Sequence, residues 1–161
     1  MKKVLIFGNS GSGKSTFAKK FRQSDGLVHL DLDTLAWQNT VPPERKPLIE
    51  SKQELLTFIQ SNESWVIDGG YVDLLEMAAS HANEIIFLNL PVDDCIANAK
   101  NRPWEPHKYD SKQAQDANLE MLIGWIADYY VREDTFSQTA HHTFYEQFFG
   151  KKSVLSQRTN I

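Results

Sequence analysis

The residues best suited to chemistry lie in one run near the start of the chain, Gly8-Asn9-Ser10-Gly11-Ser12-Gly13-Lys14-Ser15-Thr16. The run matches the pattern G-x-x-x-x-G-K-[ST], whose residue types suit the binding of a nucleotide's phosphates. Its glycines let the backbone adopt positive φ and approach a ligand without a Cβ clash. Consecutive N–H groups can then point at one anion. The sequence therefore predicts that all nine residues cradle phosphates.

The residues on either side of this run support the prediction. Residues 4–7 are an apolar stretch typical of a buried parallel strand, and residues 15–21 carry an amphipathic helical pattern. The helix would add its positive N-terminal dipole to the anion site. Lys14 is then expected to reach the β- and γ-phosphates, and the Ser15 hydroxyl to reach Mg²⁺. The alternative, a turn rich in Gly and Ser that contains a lysine by chance, does not explain these neighbours.

Carboxylates follow two further strand-like stretches, at the position where ligands bind in open α/β sheets. Asp31 and Asp33 follow residues 28–30, and Asp68 follows residues 65–67. Since Mg²⁺ takes one or two carboxylates besides phosphates and water, Asp31 and Asp68 are candidate metal ligands with Ser15. Asp33 could accept a hydrogen bond from the hydroxyl of a phosphate acceptor, or take its proton. Ordinary turn and capping roles remain open for all three acids.

Transfer of a phosphoryl group also needs cations, and two arginines are the candidates. Arg102 opens an irregular, proline-containing stretch that is predicted to act as a lid, and Arg132 follows the long helical pattern after it. A planar guanidinium can bind phosphate through two hydrogen bonds. Surface ion pairs are the alternative for both arginines. Lys108 and His107 are weaker candidates.

The acceptor itself is expected to lie between Asp33 and residue 71. Gly69 and Gly70 would let the backbone approach a bound substrate, or would only turn the chain. Large aromatic side chains could stack on an acceptor ring, although such side chains belong to the core at least as often. These aromatic candidates are Trp37, Trp65 and Tyr71.

The elements that would position these residues alternate along the chain, which predicts an α/β fold with a parallel sheet. Strands are expected at residues 4–7, 28–30, 65–67, 85–90 and 153–155. Helices are expected at 15–21, from a capping box at Ser51, at 73–80, 92–101 and 111–130, and at about 135–149 up to a C-cap at Gly150. Residues 40–47 and 102–110 are predicted loops. One domain, residues 1–161, would contain an acceptor segment (33–70) and a lid segment (102–132).

Composition narrows the functional classes. A net charge of −4 disfavours a protein that neutralises nucleic-acid phosphates. The single cysteine, Cys95, suits a reducing cytoplasm and a core position. The sequence contains no apolar run of membrane-spanning length and no cleavable signal. A cytoplasmic protein with no nucleic-acid or membrane partner is expected, as a monomer or weak homodimer.

The chain resembles the small P-loop kinases of the adenylate kinase and shikimate kinase group. Asp31-Leu32-Asp33 resembles the Asp-x-Asp of shikimate kinases, which implies roles for the acids at Mg²⁺ and the substrate hydroxyl. Arg102-Pro103 resembles their lid arginine. The stretches at residues 65–71 and 132–134 are similar to the Asp-Gly and Arg-x-Asp segments of adenylate kinases. Residues 33–37, 68–69 and 86–91 resemble a bacterial branch labelled adenylate-kinase-related or topology-modulation ATPases.

The resemblance has departures as well. Asp68-Gly69 continues with Gly-Tyr rather than Phe-Pro-Arg, and Arg45 is the single arginine between residues 23 and 101. An adenine site would lie near residues 151–159. The function expected is an ATP-dependent phosphotransferase that uses Mg²⁺ and a small-molecule acceptor. A nucleotide-dependent regulatory ATPase without such an acceptor, or a non-catalytic nucleotide-binding module, are the alternatives.

Overall fold

The computed structural model describes residues 1–38, 40 and 44–157. The predicted loop at residues 40–47 therefore lies partly outside the described residues, as do the last two positions of the expected adenine-side segment, 151–159. Within the described ranges, no helix has both the length and the hydrophobicity to cross a membrane.

Five parallel strands form one sheet in the order β2-β3-β1-β4-β5, which confirms the predicted sheet. Each strand lies within about two residues of its predicted position. β1 runs at the centre of the sheet between β3 and β4. The predicted phosphate-binding run, residues 8–16, follows β1 and therefore begins between the ends of these two strands. The strands are β1 (Lys3–Gly8), β2 (Val28–Asp31), β3 (Trp65–Asp68), β4 (Glu84–Leu88) and β5 (Lys151–Leu155).

Helices cover both faces of this sheet. Alternate residues of β1 point to opposite sides, because side chains alternate along a strand. Val4 and Ile6 pack with side chains of α1, α5 and α7, whereas Leu5 and Phe7 pack with those of α3, α4 and α8. The three-layer α/β/α architecture is therefore confirmed. The helices are α1 (Lys14–Asp25), α2 (Asp33–Ala36), α3 (Leu48–Ser61), α4 (Val72–Ala79), α5 (Val92–Lys100), α6 (Lys112–Ala117), α7 (Leu119–Ala127) and α8 (Gln138–Gln147).

The prediction of one continuous helix over residues 111–130 is wrong. It is divided into α6, α7 and a 3₁₀ turn, Asp128–Tyr130. The break falls at Asn118, whose side-chain amide donates to the Tyr109 hydroxyl at 3.0 Å. Asparagine favours such local side-chain bonds over a helix interior. The break therefore ties the helices to the loop before them.

Two predicted helix ends are also wrong. Ser51 does not cap α3, which begins three residues earlier after Pro47; its buried hydroxyl instead donates to the Leu35 carbonyl at 2.8 Å. α8 ends at Gln147, and Gly150 is not its C-cap. A Cβ at Gly150 would lie 2.5 Å from the Phe148 ring, so the glycine serves close packing. Ser51 and Gly150 match local patterns for helix ends, but tertiary contacts give both residues other roles.

A buried histidine connects α8 to the site. His141 Nε2 lies 2.8 Å from the Gly70 carbonyl, and Nδ1 lies 2.6 Å from the Tyr129 hydroxyl. Because the carbonyl can only accept, Nε2 carries the proton, and Nδ1 accepts from Tyr129. Burial lowers the pKa of His141 to about 4. The neutral imidazole thus holds the end of β3 against the 3₁₀ turn.

This histidine should make folding stability depend on pH. The unfolded chain binds a proton near the ordinary histidine pKa of about 6.5, whereas folded His141 stays neutral down to about pH 4. Stability is therefore lost as the pH falls through that window, by about 2 kcal/mol between pH 7 and pH 5 from this group alone. Urea unfolding at both pH values should show a smaller loss in His141→Gln than in the wild type. Equal losses would contradict the assignment.

Candidate phosphate-binding and acceptor site

Two glycines give the phosphate-binding run its shape. Gly11 and Gly13 have φ of 78° and 92°, in the left-handed region that favours glycine, as predicted. A Cβ at Gly11 would lie 2.3 Å from the Cys95 carbonyl oxygen. The Asn98 amide donates to the Gly11 carbonyl at 2.8 Å, and the buried Asn9 amide donates to the Ile126 carbonyl at 3.2 Å. Residues of α5 and α7 therefore fix the run against the protein.

The same run presents unused hydrogen-bond donors. The N–H groups of Ser10 and Ser12 are bonded to Asn9, through its side-chain oxygen and its carbonyl respectively. Among the described residues, no group accepts from the N–H groups of Gly13, Lys14 or Ser15. These three donors stand at the N-terminus of α1, where the helix dipole also favours an anion. The geometry is therefore that of an anion site.

Lys14 lies at this site. Its Nζ donates to the Asn9 carbonyl at 2.7 Å. Burial lowers the pKa of Lys14, and the nearby carboxylates of Asp68 and Asp33 oppose that effect. An additional polar atom, the buried Ser12 hydroxyl, has no hydrogen-bond partner in the described part of the chain. Both groups can therefore bind phosphate oxygens without breaking a side-chain ion pair.

Asp68 is the carboxylate of the site that could help to hold a cation, although no group of three or more His, Cys, Asp or Glu side chains forms a metal site among the described residues. Asp68 ends β3 and is 1% exposed, and neither carboxylate oxygen has a hydrogen-bond partner among the described residues. His29 Nε2 lies 3.3 Å from Asp68 Oδ1 but is not aligned for a hydrogen bond. Burying an unsatisfied carboxylate is costly, and a cation would compensate it. Asp31 pairs with Asp68 across β2 and β3, and Ser15 lies in the run, so the predicted metal ligands belong to neighbouring elements.

Burial and the charges of Asp33 and Asp68 raise the pKa of Asp31. Its Oδ1 also accepts from the Asp33 N–H at 2.9 Å, which keeps the two acids on one short turn. A divalent cation at Asp31 and Asp68 would relieve this repulsion between like charges.

Asp33 is held by Tyr71. The Tyr71 hydroxyl donates to Asp33 Oδ1 and accepts from the Trp37 indole N–H at 2.7 Å. The Arg45 guanidinium lies 5.0 Å from the Tyr71 ring centre, and Phe136 packs edge-on against the same ring at 4.9 Å. Tyr71 is 5% exposed. It therefore orients Asp33 rather than presenting a free face to a ligand.

The two other aromatic candidates differ in exposure. Trp37 is 39% exposed and remains available to an acceptor, whereas Trp65 is fully buried and belongs to the core.

The predicted glycine pair, Gly69 and Gly70, is required for close packing: a Cβ at Gly69 would lie 2.7 Å from Leu32, and one at Gly70 would lie 3.2 Å from the Gly8 carbonyl oxygen. Both glycines let the end of β3 pass close to its neighbours.

Lys108 is the functional candidate that sequence reasoning undervalued. Its Nζ lies 2.9 Å from Asp33 Oδ2 and 3.7 Å from both Asp31 Oδ2 and Glu105 Oε2. Burial opposes its charge, but these carboxylates raise the pKa of Lys108. Burial likewise works to raise the pKa of Asp33, and Lys108 with Tyr71 outweighs it and lowers that pKa. No local pattern marks a lysine in an irregular stretch as a partner of Asp33, 75 residues earlier.

The two predicted arginines have different surroundings. Arg102 donates to Glu105 at 3.3 Å, and its charge lowers the pKa of Lys14. Arg132 donates from Nε to both carboxylate oxygens of Asp134 at 3.0 Å, donates from Nη1 to the Trp125 carbonyl, and stacks 3.4 Å over the Trp125 ring. Arg102 therefore pairs with Glu105 and adds positive charge near Lys14, and Arg132 is bonded to its own neighbours.

Comparison with solved structures supports the fold. A shikimate kinase from Bacteroides thetaiotaomicron aligns with a TM-score of 0.55 and 14% identity, over 96% of this chain and 86% of that one. The deoxyadenosine kinase from M. mycoides, solved with bound dATP, gives 0.52 and 14%, over 97% and 91%. A sugar kinase from Janibacter sp. HTCC2649 gives 0.54 and 13%, over 97% and 85%.

No family model and no curated protein matches the sequence. At these identities the similarity establishes the fold alone, a three-layer α/β/α arrangement shared with these three kinases. The narrower resemblance to adenylate-kinase-related or topology-modulation ATPases stays a prediction.

The contact between Lys108 and Asp33 can be tested by titration. Lys108→Met removes the positive charge that stabilises the ionised Asp33, so the pKa of Asp33 should rise. Carbon-13 NMR of the Asp33 carboxyl measures that pKa directly. Lys112→Met is the matched control, because Lys112 is an exposed lysine that pairs with Asp116 on α6. An Asp33 pKa that moves equally in both variants would refute the contact.

Proposed function

We propose that this protein is an ATP-dependent phosphotransferase that moves the γ-phosphate of Mg-ATP to a small-molecule acceptor. One observation carries the proposal. An anion site with free N–H donors and Lys14 lies beside a buried carboxylate, Asp68, that has no hydrogen-bond partner among the described residues. Such a pair of sites suits a polyphosphate together with its cation.

On the nucleotide side, the phosphate-binding run would hold the triphosphate with its backbone N–H groups, and Lys14 would move from the Asn9 carbonyl to the β- and γ-phosphates. Asp68, Asp31 and the Ser15 hydroxyl would hold Mg²⁺. The bound metal would neutralise charge on the β- and γ-phosphate oxygens. Neutralisation of developing charge is the main catalytic contribution in this kind of transfer.

On the acceptor side, Asp33 would bind the hydroxyl that attacks. Its lowered pKa keeps it ionised at neutral pH, so it accepts the hydroxyl's hydrogen bond and orients the oxygen. As the new bond from the acceptor oxygen to the γ-phosphorus forms, the bond from that phosphorus to the β-phosphate oxygen breaks, ADP leaves, and Asp33 takes the hydroxyl's proton. The Tyr71 hydroxyl donates to Oδ1 of Asp33 and so holds the carboxylate in place. Trp37 and the backbone at residues 69–71 would line the acceptor.

The lid segment would supply the remaining positive charge. Lys108 Nζ lies 2.9 Å from Asp33 Oδ2, and the charge of Arg102 affects Lys14, which supports a place for both cations in one charged region. Arg132 would join them only after it releases Asp134 and the Trp125 carbonyl. Closure of this segment would also exclude water and favour transfer over hydrolysis.

The regulatory ATPase remains a second candidate for a specific reason. Lys108 provides Asp33 with a partner inside the chain, so the acceptor carboxylate is satisfied without any small molecule. A switch of this kind would keep the nucleotide site and respond to a macromolecule instead.

ADP release separates the two candidates. The purified protein with Mg-ATP is screened against nucleoside monophosphates, nucleosides, sugar acids and shikimate-like alcohols. A phosphotransferase releases ADP much faster with one compound class than with water alone, and Lys14→Met abolishes the increase. Uniform slow release with every compound would refute the phosphotransferase.

Asp33→Asn should lower the transfer rate by at least roughly tenfold, because the amide cannot take the hydroxyl's proton. ATP affinity, measured by calorimetry, should remain nearly unchanged. Asp116→Asn is the control, since Asp116 is an exposed carboxylate that pairs with Lys112 on α6. An equal loss of ATP binding would place Asp33 among the metal ligands instead.

Arg132→Ala is expected to lower the maximal rate more than it weakens ATP binding, if this arginine closes over the phosphates. Arg102→Ala should likewise lower the maximal rate more than it weakens ATP binding. This role of Arg102 does not require the ion pair between Arg132 and Asp134 to open. Steady-state kinetics and thermal unfolding of both variants provide the measurement. Reduced thermal stability with normal kinetics in Arg132→Ala would show that its ion pair is purely structural.

A further inference from the structure

Three buried polar atoms lie together without hydrogen bonds in the described part of the chain. They are Nε2 of His29 and the two carboxylate oxygens of Asp68. The side chains are 15% and 2% exposed, and Nε2 lies 3.3 Å from Oδ1. Buried polar groups are nearly always satisfied, so this pair is expected to gain a partner or to realign when a ligand binds.

The sheet register makes this contact rigid. His29 lies opposite Val66, and Asp31 lies opposite Asp68 in the same ladder. Residues two apart on a strand share a face, so His29, Asp31, Val66 and Asp68 lie on one side of the sheet. That side is the one on which Val66 packs with Ala18 of α1. His29 is therefore held beside the carboxylate by backbone pairing and not by a flexible loop.

We propose that His29 is a positioning residue for the metal-binding carboxylate of Asp68. The imidazole Nε2–H donates to Asp68 when the cation is bound, and so fixes the orientation of the carboxylate toward the phosphate-binding run. Partners of this kind around a metal ligand restrict its rotation and raise metal affinity. The inference rests on the proposed nucleotide and Mg²⁺ site.

The alternative is that His29 only fills space beneath α1. If His29 only fills space, its replacement would change folding stability. The ratio of the nucleotide affinity with metal to the nucleotide affinity without metal would stay the same. That ratio is therefore the readout that separates the two roles.

The experiment uses Mn²⁺ as the paramagnetic probe and ADP as the nucleotide. Electron paramagnetic resonance gives the affinity of Mn²⁺ for the protein–ADP complex, and calorimetry in EDTA gives the affinity for metal-free ADP. The variants are His29→Leu, which has no donor, and His29→Gln, which keeps an N–H group at similar reach. His142→Leu is the matched control, because His142 is an exposed histidine on α8. Asp68→Asn provides the reference for loss of the ligand itself.

His29→Leu should weaken Mn²⁺ binding by about 10- to 100-fold, the range for loss of such a supporting partner. Metal-free ADP affinity should stay within about twofold, because the phosphate-binding run is untouched. His29→Gln should recover most of the Mn²⁺ affinity, and His142→Leu should behave as the wild type. If His29→Leu does not fold, His29→Asn replaces it, since the shorter amide does not reach Asp68.

Two results would overturn the inference, and they differ in what else they affect. Unchanged Mn²⁺ affinity in His29→Leu, with normal Mn²⁺-dependent binding in the wild type, would refute the positioning role alone. A wild-type protein that binds ADP without any response to Mn²⁺ would refute both this role and the metal site of the proposed function.

Discussion

The pairing of β3 between β1 and β2 is the constraint on which the candidate site depends. Its register sets Asp68 beside Ile6 on one side and beside Asp31 on the other. Two backbone bonds continue the pairing past the strand ends, from Gly69 N–H to the Ile6 carbonyl and from Leu32 N–H to the Asp68 carbonyl. The residues of the glycine-rich run and the carboxylates of Asp31, Asp33 and Asp68 therefore meet at one edge. A slip of one residue would turn these acids into the opposite layer.

Charge balance is the second organising feature of this edge. Asp31 and Asp68 end strands β2 and β3, and Asp33 begins α2, whereas Lys108 comes from the segment between α5 and α6. Lys14 compensates part of the negative charge, and a divalent cation would compensate the remainder. Because these charges are partly buried, each affects its neighbours more than it would in water. The opposite pKa shifts of Asp31 and Asp33 follow from this arrangement: burial and like charges raise the pKa of Asp31, whereas Lys108 and Tyr71 outweigh burial and lower the pKa of Asp33.

Sequence reasoning was strongest where a local pattern has one physical solution. An apolar run followed by G-x-x-x-x-G-K-S predicts a strand, a turn whose glycines have positive φ, and a helix, and the structure has all three. It was weakest where a local pattern has several solutions. Ser51 fits a capping box but lies inside α3, because Pro47 offers an earlier start and Leu35 supplies a buried acceptor. The helical pattern over residues 111–130 predicts one helix through Asn118, although a side-chain bond to Tyr109 accompanies a break there.

The sequence alone determined the alternation of strands and helices along the chain, the glycine turn between β1 and α1 and the acids at the ends of β2 and β3, because strand periodicity and glycine geometry are local properties. Only the tertiary structure decided which of those acids has which partner. Lys108 on Asp33, His29 on Asp68 and His141 on Gly70 join residues far apart in the chain. Such pairs depend on register, helix breaks and close glycine packing, and these are settled by the burial of the whole core rather than by any short stretch of sequence.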